Sequence, residues 1–81
     1  MNIEERVYQI VVQIRELDYQ LDELGNKELF KDLAFDSVDV MNLISKLEKE
    51  FQIFFAHEEI MELTKRFQDI VNLIEKKLRL Q

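Results

Sequence analysis

Apolar positions along the chain recur at helical spacing. Ile3, Val7, Ile10, Val11 and Ile14 step by i, i+4, i+7, i+8 and i+11, the stripe of one buried helix face. Charged and polar residues at 4, 5, 6, 9, 13 and 15 fill the opposite side. Asn2 stands where an N-cap belongs, and Glu4 and Glu5 fall in the first turn, where the helix dipole favours negative charge. The pattern predicts a first helix over 2–17; its β-branched content makes a strand the competing reading. The second stripe is Val40, Leu43, Ile44, Leu47 and Phe51, behind the N-cap pair Asp36-Ser37, and predicts a helix over 37–51. Val38, Met41, Asn42, Ser45, Glu48 and Lys49 are left outward or at its margins. A short apolar linker, Gln52 to Ala56, leads to a short helix over 57–63 with Ile60, Met61 and Leu63 as anchors. Phe67, Ile70, Val71, Ile74 and Leu78 predict a last helix over 66–79, closed by Lys76, Lys77 and Arg79, cations suited to a helix C-terminus.

Between the first two stripes the periodicity loosens. Asp22, Glu23, Glu28, Asp32 and Asp36 stand against Lys27 and Lys31, a net of -3 over 21–36. Gly25-Asn26 is the expected turn, because both residues tolerate positive φ. Leu29, Phe30 and Leu33 are embedded in this polar loop, so it is expected to be pinned to the core, with a short helical turn near 28–32. Three amphipathic helices and one short one must share a core. The fold expected is all-α: a small four-helix bundle with a long loop between helices 1 and 2.

Length and charge narrow the function. The chain has 81 residues, which suits one domain over 1–81. A chain this size buries only roughly 60–65% of its unfolded surface, so the core is small. There is no cysteine, hence no thiol nucleophile, disulfide or thiolate metal site. Met1 to Arg6 carry more acid than base and no long apolar stretch, which argues against a signal peptide, and no window approaches a membrane span. A soluble cytoplasmic protein is the expectation. The net charge of -6 argues against nucleic acid, whose phosphates need Lys and Arg, and favours partners with basic surfaces. One glycine excludes the glycine-rich phosphate loops, and a single histidine, His57, excludes a His-based metal cluster. His57 reads as an end-of-helix surface residue, and Asp22-Glu23 and Glu58-Glu59 as solvated faces.

One segment stands out: Leu33-Ala34-Phe35-Asp36-Ser37-Val38-Asp39. Serine at a helix N-terminus is usually a cap. A helix N-terminus also suits a phosphate, through free N–H groups and the dipole. Carboxylates at 36 and 39 would repel a free anion, however. They make better sense if Ser37 is presented to a basic enzyme that modifies it, with the acids as docking charges.

This segment resembles the attachment site of acyl carrier proteins and related phosphopantetheine-binding carriers, whose core is Asp-Ser-Leu/Val with a further Asp two residues after the serine. Asp36, Ser37, Val38 and Asp39 match it. So do Phe30 with Asp32-Leu33 on the approach, Leu47-Glu48-Lys49-Glu50-Phe51 at the end of helix 2, Phe67-Gln68-Asp69-Ile70-Val71 with Ile74, and Ile3-Glu4-Glu5-Arg6-Val7 at the opening. There are departures. Ala34 stands where a glycine is common, Phe55-Ala56 where a proline is common, Arg66 in place of a capping threonine, and Asn42 in place of an outward glutamate. Helix 2 sets Asp39, Glu48 and Glu50 against Lys46 and Lys49, a net of -1, whereas fatty-acid carriers are strongly acidic there.

The resemblance implies that a phosphopantetheinyl transferase, using coenzyme A and magnesium, attaches 4'-phosphopantetheine to Ser37. The protein would then be a carrier rather than an enzyme, holding acyl groups as thioesters on that arm in fatty-acid or polyketide-type biosynthesis. Acyl-transferring or condensing enzymes would dock on Asp36, Val38, Asp39, Met41, Asn42 and Glu48, against a monomer with no metal of its own. Two alternatives stay open: an aminoacyl or peptidyl carrier of non-ribosomal synthesis, and a carrier-like binding module that is never modified.

Overall fold

The computed structural model describes residues 2–63 and 65–80; the side chain of Leu63, expected as an anchor, lies outside the described set. Among the described residues four helices follow one another: α1 (Ile3–Ile14), α2 (Ser37–Phe51), α3 (His57–Leu63) and α4 (Phe67–Arg79), with a 3-10 turn at Leu21–Glu23. The described residues contain no strand, only an isolated antiparallel bridge between Glu28 and Arg66. α1 packs against α2 and α4, and α3 lies on α4. The core joins Val7, Ile10 and Val11 of α1, the stripe Val40, Leu43, Ile44, Leu47 and Phe51 of α2, and Phe67, Ile70, Val71 and Ile74 of α4.

α1 starts as expected, with the Asn2 side chain accepting from the Glu5 N–H at 3.1 Å. It ends at Ile14 rather than at 17, because Arg15 turns extended (φ -140, ψ 132). The chain then folds back along α1, where the Tyr8 hydroxyl donates to the Tyr19 carbonyl at 3.1 Å. Leu17, Tyr19 and Leu21 pack on the core from that loop instead of continuing the helix. α4 starts one residue later than expected. Arg66 is its cap, and its N–H donates to the Asp69 carboxylate at 3.2 Å. An arginine side chain has no acceptor, so only the backbone half of a capping box forms there.

The long loop is pinned, through fewer side chains than expected. Leu29 and Leu33 are buried with Leu24 and Phe35, but Phe30 is 43% exposed. Main-chain bonds do the rest. The Leu29 N–H donates to Lys65, the Phe67 N–H to Lys27 and the Gln68 N–H to Gly25, at 2.8, 3.0 and 3.1 Å. The helical turn expected near 28–32 is a single turn: the Asp32 and Leu33 N–H groups both reach the Glu28 carbonyl, and no helix propagates. Gly25-Asn26 is a turn, closed by the Lys27 N–H on the Leu24 carbonyl at 2.8 Å, yet neither residue has positive φ. Positive φ occurs instead at Ala34 (59°) and Gln52 (53°). In α3, Ile60 packs against the core, while Met61, also expected as an anchor, is 61% exposed.

Candidate functional site

Buried neighbours on both sides aim Ser37 outward. Leu33 and Phe35 enter the core before it and Val40 after it. The Phe35 N–H donates to the Leu29 carbonyl at 2.9 Å, and Ala34 takes the left-handed conformation that bends the chain between two buried side chains. Ser37 is the first residue of α2 and is exposed.

Asp36 and Asp39 form a reciprocal capping box around it. The Asp36 carboxylate accepts from the Asp39 N–H at 2.9 Å, and the Asp39 carboxylate accepts from the Asp36 N–H at 3.0 Å. That leaves the N–H groups of Ser37 and Val38 with no hydrogen bond among the described residues. They are two of the four donors every helix start leaves over, and the positive end of the helix dipole adds to them. A phosphate ester on the Ser37 oxygen would lie beside these donors, so the residues present fit such a group.

Arg15, at the C-terminal cap of α1, crosses to this helix start. Its Nε donates to Asp39 Oδ2 at 2.9 Å, and its terminal nitrogen stands 3.9 Å from Asp36 Oδ2. The Asp36 N–H bond first, and the Arg15 guanidinium after it, hold the Asp39 carboxyl below the usual carboxylate range. Arg15 lies 24 positions from Asp39, and nothing local in the sequence marks it for this role.

The six expected docking residues do not share one setting. Val38 and Met41 are 74% and 59% exposed, and Asn42 is exposed beside them. The Asp36 side chain is mostly open to solvent, whereas Asp39 is occupied by its cap and by Arg15. Glu48 lies at the margin of α2 and accepts the Phe55 N–H at 3.1 Å. His57 is exposed at the start of α3. No group of three or more His, Cys, Asp or Glu among the described residues could hold a metal ion.

Comparison with known proteins identifies the family. Residues 5–74 match the family described as "Phosphopantetheine attachment site". The chain belongs to the acyl carrier protein family. It is 37% identical to the acyl carrier protein of Campylobacter concisus, over 94% of this chain and 96% of that one. Against the acyl carrier protein of Buchnera aphidicola it is 38% identical, over 94% and 92%. A solved structure of a Mycobacterium tuberculosis protein assigned as an acyl carrier protein superposes with a TM-score of 0.77 at 25% identity, covering 98% of this chain and 97% of that one. Acyl carrier proteins are carriers and not catalysts, and the family's cofactor is covalently attached 4'-phosphopantetheine. Among the described residues of this carrier, no helix is long and apolar enough to cross a membrane.

Proposed function

We propose that Ser37 is the attachment point of the 4'-phosphopantetheine arm, and that the chain, acting as one carrier domain, holds acyl groups as thioesters in fatty-acid or polyketide-type biosynthesis. The observation that carries this reading is the exposed Ser37 hydroxyl at the first position of a box-capped helix, beside two unpaired N–H groups. The bound group supplies the thiol that a chain without cysteine lacks. Ser37 Oγ forms the new bond to phosphorus as the pyrophosphate link of coenzyme A breaks, the adenosine bisphosphate portion leaves, and the hydroxyl proton passes to a base of the transferase. The chain's own residues hold the acceptor rather than activate it. Leu33, Phe35 and Val40 fix its direction, and the capping box fixes the helix start. Val38, Met41 and Asn42 form the surface next to the serine on which a transferase and the pathway's acyl-transferring or condensing enzymes dock, against a monomeric, cytoplasmic carrier.

Incubation with coenzyme A, magnesium and a broad-specificity phosphopantetheinyl transferase should raise the intact mass by one phosphopantetheine, and Ser37→Ala should abolish the gain. An unchanged mass with several such transferases would leave a binding module in place of a carrier. The exposed lysines Lys46 and Lys49, on a helix that is strongly acidic in fatty-acid carriers, favour a specialised pathway, and that includes a second reading, an aminoacyl or peptidyl carrier. Loading of the arm by an adenylation enzyme, with no turnover by a ketosynthase, would decide for it.

A further inference from the structure

α2 sorts its charges by direction. At 100° per residue, Val38, Asn42, Ser45 and Lys49 form the spine pointing away from the core, with Met41 on one flank and Lys46 on the other. All six are exposed. No carboxylate lies on that spine. Asp39 and Glu50 sit on the flank facing α1, where each meets an arginine: Asp39 meets Arg15 at the end of α1, and Glu50 pairs with Arg6 near its start. Glu48 turns to the other flank and accepts the Phe55 N–H. The acids of α2 thus tie this helix to its own bundle. Lys46 and Lys49 make no ion pair among the described residues, and they border a surface depression of about 310 Å³ with Ile10, Gln13 and Glu50.

We infer that Lys46 and Lys49, rather than the carboxylates of α2, set the electrostatic preference of the docking face, and that the enzyme working on the Ser37 arm presents carboxylates opposite them and an apolar patch opposite Val38 and Met41. This rests on the carrier reading and names its partner. The reach is suitable: Lys49 lies about 18 Å along the helix axis from Ser37, inside the footprint of a docking surface of about 800 Å² per partner. The Debye length of about 10 Å at 0.1 M salt separates contacts at this face from charges elsewhere on the molecule.

The test uses the full chain and two phosphopantetheinyl transferases, one with an acceptor cleft rimmed by Lys and Arg and one with a cleft rimmed by Asp and Glu. Initial rates of mass gain are followed at several salt concentrations. With the acidic cleft, Lys46→Glu/Lys49→Glu should slow transfer roughly tenfold at low salt; with the basic cleft it should accelerate it by a similar factor, and both differences should shrink as salt rises. Lys46→Gln/Lys49→Gln should move the rates the same way by less, which covers any folding defect of the reversal. Lys76→Glu/Arg79→Glu makes the same change of net charge at the end of α4 and should have much the smaller effect. Equal effects of the α2 and α4 reversals, or rates indifferent to Lys46 and Lys49, would overturn the assignment while leaving the carrier intact. If neither transferase modifies any variant, the carrier reading fails and this inference falls with it.

Discussion

Ala34 holds a backbone angle (φ 59) that an L-residue reaches only with its Cβ crowded against the backbone. Carriers of this family commonly have glycine at the place, and the bend is kept here without it. The reason lies in the main chain on either side: the Leu33 N–H returns to the Glu28 carbonyl at 3.1 Å and the Phe35 N–H to the Leu29 carbonyl at 2.9 Å, which holds the bend at Ala34 whatever residue stands there. Left-handed geometry costs an L-residue about 1–2 kcal/mol, and removing the Cβ returns about 0.4–1 kcal/mol of unfolded-state entropy to the other side. Ala34 is exposed, so little packing is lost with its methyl group. Ala34→Gly should therefore stabilise the protein by about 0.5 kcal/mol, read as a rise in the urea midpoint at unchanged slope. A fall in the midpoint would mean that the strain relieved at the bend is smaller than the entropy that glycine adds to the unfolded chain. Gly25 is the opposite case. Its φ is not positive, and an added Cβ would meet the Gln68 Oε1 at an ordinary 3.7 Å, so the single glycine of the chain is not required where it stands.

Of the elements, α2 keeps the bounds its pattern predicts because its start and its buried stripe agree. Asp36 and Asp39 close the first turn, and five apolar side chains from Val40 to Phe51 are buried. Leu47 is fully buried in the middle of that stripe. Leu47→Ala should cost about 2–5 kcal/mol, as burial of a leucine and the cavity left behind demand. A domain of this size holds only about 5–8 kcal/mol in all, so the variant should be largely unfolded well below the wild-type midpoint. Chemical denaturation followed by circular dichroism measures this, and a shift within about 0.5 kcal/mol would place Leu47 on the surface and shift the register of α2. α1 shows where an apolar pattern overruns. Leu17 continues its stripe by sequence, but Arg15 leaves the helix for Asp39, and the Tyr8–Tyr19 bond holds the loop alongside. α3 shows a substitution that the fold uses. Phe55-Ala56 stands where a proline is common, and both N–H groups, either of which a proline would lack, are used: Phe55 donates to the Glu48 carboxylate at 3.1 Å and Ala56 to the Glu59 carboxylate at 2.7 Å.

Across the whole molecule, α3 is held to α4 through Glu59. Lys77 donates to its carboxylate at 2.8 Å and also lies 5.5 Å from the centre of the Phe55 ring. The Lys77 bond, and then the Ala56 N–H, hold the Glu59 carboxyl below the usual carboxylate range. A group whose pKa is lower folded than unfolded adds stability that is complete above its unfolded value and is lost as the pH falls through the folded one. Glu59→Gln should thus lower stability by about 0.5–1 kcal/mol near pH 7 and by much less near pH 3. Urea denaturation of both proteins at the two pH values measures it; equal losses would show that the charge of Glu59 contributes nothing, since glutamine can still accept the Ala56 N–H. The helical stripes, the cap at Asp36 and the Asp36-Ser37-Val38-Asp39 motif were all legible in the sequence, because each depends on residues within one or two turns of each other. What only the tertiary structure decided involves partners far apart in the chain: Phe30 and Met61 left exposed, Arg15 drawn from α1 to the start of α2, Glu50 paired with Arg6, and the long loop bonded across to the start of α4. Periodicity says which face of a helix is apolar. Which charges on the other face are spent inside the bundle, and which are left for a partner, depends on what the neighbouring helix places opposite them.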